Sequence, residues 1–212
     1  MTRIAFINPN STVAMTTSCA QSFITHLPSE FAVEAITNQQ APAAIQGPED
    51  GDAAVPGVLN IVSGSNFDAY VIACFDDTGL TEARKMTQKP VIGIGQASFH
   101  LAALMAGRFS VLTTLAVSVP VIAKNIDAQG FGSICDGVFA SGVPVLDLEQ
   151  EPDKSRNVIS SHLLKMATQN PSNAVILGCA GMTNIWDRLQ LDHKITLIDP
   201  IAAAAKLVPA MI

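Results

Sequence analysis

Two cysteines, Cys74 and Cys179, occupy matching points of the chain. Each ends an apolar run, Val71-Ile72-Ala73-Cys74 and Ile176-Leu177-Gly178-Cys179, and they lie 105 residues apart. Inverting a carbon acid without a cofactor requires that a proton leave one face while another arrives at the opposite face. One side chain cannot easily do both. A thiolate on one side and a thiol on the other can, and the roles exchange for the mirror-image substrate. A free thiol has a pKa near ~8.5, so its surroundings must favour the base form, and the N–H groups at a helix N-terminus are one means. Both cysteines leave a strand and enter the turn before a helix, Phe75-Asp76-Asp77-Thr78-Gly79 in one case and Ala180-Gly181-Met182-Thr183 in the other. N–H groups in such turns suit both a thiolate and a developing enolate oxygen.

A strand-end cysteine taken alone is usually a small packing residue; the matched placement is what argues for chemistry. Cys19 and Cys135 have no counterpart at the same offset and are read as structural. Without a C-x-x-C pair or a histidine at ligand spacing, neither zinc nor a disulfide scaffold is expected. His26, His100, His162 and His193 suggest no triad, and Gly93-Ile94-Gly95 is too short a match for a nucleotide loop. Asp76 and Asp77 are read as charges that raise the neighbouring thiol's pKa or orient N–H groups of a bound molecule, with a cap for the helix that follows as the favoured reading of Asp77. Tyr70 and Trp186 are read as core or rim residues.

The elements that must position these groups alternate, strand then helix, the pattern of an α/β fold. Strands are expected at Arg3–Ile7, Val33–Thr37, Ala69–Ala73, Val91–Ile94, Phe109–Thr113, Gly137–Ser141, Ala174–Gly178 and Thr196–Ile198. Helices are expected at Thr12–His26, Glu49–Ser63, Thr81–Gln88, Ala97–Met105, Val117–Ala128, Lys154–Gln169, Thr183–Gln190 and Ala202–Met211. The strands form two sets of four related by the 105-residue offset: Asn8 precedes Cys74 by 66 residues, as Thr113 precedes Cys179. The expected architecture is therefore two pseudo-symmetric β/α lobes with four-stranded parallel sheets and an active-site cleft between them, where loops at equivalent strand ends meet. The first lobe spans residues 1–96 with 200–212 packing back on it, and the second spans 97–199.

With 49% hydrophobic residues the chain has ample material for a core, and no apolar run reaches the roughly 20 residues of a membrane span. Its net charge is −6, with basic residues scattered singly, so neither a nucleic-acid backbone nor an anionic membrane is an expected partner. The cytoplasm is the expected compartment.

Three segments together carry a resemblance: Ile7-Asn8-Pro9-Asn10-Ser11-Thr12, Ile72-Ala73-Cys74-Phe75-Asp76-Asp77-Thr78-Gly79-Leu80, and Gly178-Cys179-Ala180-Gly181-Met182. In this order and spacing the chain resembles the hydantoin and allantoin racemases of the aspartate/glutamate racemase superfamily, over nearly its whole length. The resemblance implies two α/β domains with the site between them, Cys74 and Cys179 as the proton-transfer pair, and neither metal nor pyridoxal cofactor. It also implies a small cyclic ureide substrate and an assembly larger than a monomer. Asn8-Pro9-Asn10 would line the pocket floor, with Asn10 bonding ring amides, and Thr113-Thr114 would close the other side. Phe75, Asp76, Ala180, Gly181 and Met182 complete the expected substrate contacts. Amino-acid racemases of this group usually follow their cysteines with residues suited to a free carboxylate and ammonium, whereas Phe75 and Ala180 suit a neutral ring. An amino-acid racemase, a maleate-type isomerase, a decarboxylase and a two-lobed binding protein without chemistry remain the alternative readings.

Overall fold

Each half of the chain opens with the strand that becomes the middle of its sheet. In the computed structural model, which describes residues 1–169, 172–189 and 196–212, β1 (Thr2–Asn8) lies between β2 (Phe31–Thr37) and β3 (Ala69–Ile72), and β4 (Val91–Gly93) extends the sheet to the order β2-β1-β3-β4. The second sheet repeats it with β5 (Phe109–Thr113), β6 (Cys135–Ala140), β7 (Ala174–Gly178) and β8 (Thr196–Ile198) in the order β6-β5-β7-β8. Every pairing is parallel. Parallel neighbours need crossover connections, which is why helices intervene and both sheet faces are covered. His193 lies outside the described residues.

The helices of the first half are α1 (Val13–Thr25), α2 (Pro48–Ser63), α3 (Leu80–Met86) and α4 (Ile94–Ala106). The second half contributes α5 (Val119–Ala128), the short α6 (Asp147–Gln150), α7 (Pro152–Gln169), a 3-10 helix at Ala180–Arg188 and α8 (Pro200–Leu207). Two expectations are corrected here. The expected α-helix from Thr183 is instead a 3-10 helix that starts directly after Cys179, and α4 starts at Ile94 rather than at Ala97.

Alternation along β1 splits its side chains between two faces. Ala5 and Ile7 join Val58, Tyr70 and Ile72 beneath α2 and α3, while Ile4 and Phe6 point into a core shared with the second half. Helix α4 leaves the first sheet to pack on β5, β7 and β8, and α8 packs on α4 and α1. Phe99 of α4 ties the halves together: its ring meets Phe75 edge-on at 5.7 Å and stacks on Phe109 at 6.0 Å. The loop that carries Cys74 is thereby anchored to the second sheet through aromatic contacts. Among the described residues, no helix is long and apolar enough to cross a membrane.

Candidate active site

The carboxyl ends of equivalent strands meet around one cavity of about 390 Å³, and both Cys74 and Cys179 line it. Cys179 directly follows β7 and is the N-cap of the 3-10 helix. Gly178 before it must lack a side chain, since a Cβ there would press on the backbone and side chain of Thr113 in the adjacent strand. The thiol is pushed up to about 12, chiefly by burial; the N–H groups of Gly181 and Met182 act against this, and the Asp76 carboxylate acts with it. Burial also drives Cys74 well above the ordinary thiol range, followed in size by the Asp76 carboxylate. The Thr78 hydroxyl, donating to its sulfur at 3.5 Å, and the Asp76 N–H work in the opposite sense. Cys179 adds a smaller push in the same direction at Cys74, so charge on one sulfur disfavours charge on the other. The two turns thus supply different donors: two backbone N–H groups to Cys179, and one N–H with one hydroxyl to Cys74.

The floor is built where β1 ends. Asn8 is buried and faces inward, its Nδ2 donating to Asn10 Oδ1 and to Thr16 Oγ1, both at 2.9 Å. Asn10 returns its backbone N–H to Asn8 Oδ1 at 3.2 Å, and its Oδ1 also accepts the Thr12 N–H at 2.9 Å. The Pro9 carbonyl is held by Asn38 Nδ2 at 3.1 Å. With its oxygen committed to this scaffold, Asn10 lines the cavity while Asn8 and Pro9 lie behind it. On the other side, Thr113 and Thr114 both line the cavity, although the Thr113 hydroxyl is spent on the Gly178 carbonyl at 2.9 Å.

Phe75, Asp76 and Ala180 are also lining residues. Gly181 and Met182 are not among them; they act through their N–H groups on the Cys179 sulfur. Asp76 differs from the other polar lining groups in having a carboxyl group. Its carboxylate has no hydrogen-bond partner among the described residues, and burial raises its pKa to about 7. Its backbone carbonyl accepts Asn125 Nδ2 of α5 at 2.8 Å, which pins the Cys74 turn to the second half.

Asp77 caps a helix, but not the one expected. The N-cap of α3 is Gly79 in the left-handed region, with no side-chain bond. Asp77, itself at φ 52°, sends its carboxylate to the Gly95 N–H at 3.0 Å and the Gln96 N–H at 2.8 Å, the first turn of α4. This accounts for Gly93-Ile94-Gly95: a Cβ on Gly93 would strike the Asp77 carboxylate, and one on Gly95 the Phe75 carbonyl. In the second half Asp199 does the same for α8, accepting the Ile201 N–H at 2.8 Å and the Thr183 hydroxyl at 2.5 Å. Thr78 and Thr183, equivalent by offset, therefore hold different partners.

Met15 and Val145 line the cavity without having been expected there, and Ile45 and Ser118 line it from the stretches 41–45 and 115–120, whose side-chain directions only the fold sets. Met15 had a signal, one helical turn past Asn10, whose Nδ2 reaches its sulfur at 3.3 Å. His26, His100 and His162 do not line the cavity. Among the described residues, no group of three His, Cys, Asp or Glu side chains is arranged to hold a metal.

The family model described as Asp/Glu/Hydantoin racemase matches residues 4–208 of the chain. A hydantoin racemase from Rhizobium meliloti is 38% identical over 99% of this chain and 88% of its own length. A second hydantoin racemase, from a Pseudomonas species, is 30% identical over 99% of this chain and 86% of its own length. Among solved structures, the allantoin racemase from Klebsiella pneumoniae superposes with a TM-score of 0.94 at 31% identity, covering 99% of this chain and 87% of that one.

Proposed function

The chain belongs to the Asp/Glu/hydantoin racemase family, and from that premise we propose that it racemises a 5-substituted hydantoin or allantoin by proton transfer between two cysteines. The observation that carries this reading is that Cys74 and Cys179, at the ends of equivalent strands β3 and β7, line one cavity. We take residues 1–96 with 200–212 as the lobe that supplies Cys74, and residues 97–199 as the lobe that supplies Cys179.

In the proposed reaction one thiolate removes the hydrogen on the ring carbon. The C–H bond breaks, its electron pair passes into the adjacent carbonyl as an enolate, and an S–H bond forms. The opposite thiol then gives its proton to the other face of the same carbon, leaving a thiolate in its place. Proton and charge thus return to the enzyme, with no redox step. The exchange needs one thiolate and one thiol, and the influence of Cys179 on Cys74 acts against ionisation of both at once. The Gly181 and Met182 N–H groups stabilise charge at Cys179, and the Thr78 hydroxyl with the Asp76 N–H does so at Cys74.

The polar lining groups have roles in this scheme. The unpartnered Asp76 carboxylate accepts a ring N–H, and Asn10, Thr114 and Ser118 face the ring's carbonyl and amide edge. No Lys, Arg or His lines the cavity among the described residues, which favours a neutral ring over a free amino acid whose carboxylate would need a cation or a dense set of donors. Chiral product analysis with a 5-substituted hydantoin, allantoin, aspartate and maleate tests the reading. Loss of optical activity from the hydantoin or allantoin alone is the expected result, and turnover of aspartate or maleate alone would overturn it.

A further inference from the structure

Ile45 and Val145 come from opposite halves and line the same cavity as the two thiols. Ile45 lies in the loop after β2 and Val145 in the loop after β6, strands that hold the same edge position in the two sheets. Both line the cavity and are almost fully covered, at 6% and 5% exposure. The Val145 N–H donates to Oε1 of Gln46 at 3.1 Å, so the backbone beside Ile45 is tied to that of Val145 across the gap between halves. Gln46 is fixed in turn, its own N–H bonded to Asp50 Oδ2 at 3.0 Å at the start of α2.

This wall has a chemical consequence. The reacting carbon sits between two sulfurs and carries two ring bonds and one substituent. The ring edge needs polar partners, and Asn10, Asp76, Thr114 and Ser118 are the side chains available for it. The substituent must then occupy surface those groups leave, and it must do so for both enantiomers, because inversion swings it from one side of the mean ring plane to the other. An apolar residue from each half meets that requirement. A ureido substituent would bring N–H and C=O groups against surface that offers neither donor nor acceptor, which costs far more than burying a hydrocarbon gains.

Resting on the racemase reading above, we infer that Ile45 and Val145 are the specificity-determining residues of this cavity: together they receive the substituent on the reacting carbon and select a branched aliphatic group over a ureido group. The test is steady-state racemisation of 5-isobutylhydantoin, 5-methylhydantoin and allantoin by the full chain and by Ile45→Ala and Val145→Ala, with Ile45→Val as a milder change. Wild type is expected to favour 5-isobutylhydantoin over allantoin by roughly tenfold or more in kcat/KM. Each alanine variant should lose roughly tenfold on 5-isobutylhydantoin, mainly through KM, with Ile45→Val intermediate. On 5-methylhydantoin, which presents only one methyl group to the wall, the loss should be smaller by roughly threefold or more, so that the preference between the two hydantoins falls. Equal turnover of allantoin and 5-isobutylhydantoin by wild type, or equal losses on both hydantoins in the variants, would overturn the assignment while leaving the racemase reading in place. Failure of wild type to racemise any of the three would remove both.

Discussion

The carboxylate of Asp77 and the backbone N–H of Gly95 are 3.0 Å apart, joining the turn that carries Cys74 to the first turn of the helix that crosses onto the second sheet. The Gln96 N–H completes the cap at 2.8 Å. Together with the Asn125 bond to the Asp76 carbonyl, this cap fixes the path of the Cys74 turn relative to the half that supplies Cys179. Asp77→Ala would leave two inner N–H groups without an acceptor, at a cost of ~2 kcal/mol. Gly95→Ala would drive a methyl group into the Phe75 carbonyl at a cost of ~1–3 kcal/mol. Thermal unfolding should show both losses, and kcat should fall more than KM rises because the thiol is displaced. Unchanged stability in both variants would contradict the capping role.

Asp76 makes stability depend on pH in a defined direction. Burial raises its carboxyl from 3.8 to about 7 in the folded chain, so the native state holds a proton that the unfolded state releases. Its contribution is full below about pH 4 and is lost as pH rises toward about 7. Asp76→Asn should therefore match wild type in stability near pH 4 and exceed it near pH 8, by on the order of 2 kcal/mol. The same variant should raise KM for the ring substrate, because an amide presents only one acceptor oxygen to the ring N–H. Denaturant unfolding at the two pH values checks the first outcome, and a stability gain of equal size at both would refute it.

Thr78 tests the asymmetry between the two thiols. Its hydroxyl donates to the Cys74 sulfur at 3.5 Å, and Cys179 has no equivalent hydroxyl, because Thr183 is bonded to Asp199 instead. Thr78→Val should lower kcat/KM by roughly tenfold and move the alkaline rise of its pH profile upward, with Thr78→Ser restoring both. Enantiomers have equal free energies, so the loss must be equal for the two directions even though only one thiol is affected. Thr183→Val should instead cost stability through the cap of α8 and leave the pH profile in place.

The strands were legible because each is a short, nearly continuous apolar run between turn residues, and β1, β3, β5 and β7 are buried on both faces. The 105-residue offset that aligned Cys74 with Cys179 corresponds to a repeated sheet order, β2-β1-β3-β4 and β6-β5-β7-β8. What escaped the sequence depends on side-chain direction and distant partners. The start of α4 is set by Asp77, eighteen residues upstream of Gly95, so no local signal marks it. Asn8 is as polar as Asn10, yet its amide is consumed by Asn10 and Thr16, and only the fold reveals which of the two meets the cavity. Val145 carries no chemical signature at all, and Met15 only its spacing from Asn10. They become part of the site only because α1 and the loop after β6 converge on it.

The two-thiol mechanism is tested most directly by following the ring hydrogen in deuterium oxide, separately for each enantiomer, in Cys74→Ser and Cys179→Ser. Both variants should lose racemisation by about 10²- to 10⁴-fold or more. Each should still exchange the ring hydrogen of one enantiomer without inverting it, and the two variants should act on opposite enantiomers, because each retains the base on one face only. Racemisation at the wild-type rate by both variants, or exchange of the same enantiomer by both, would contradict the account.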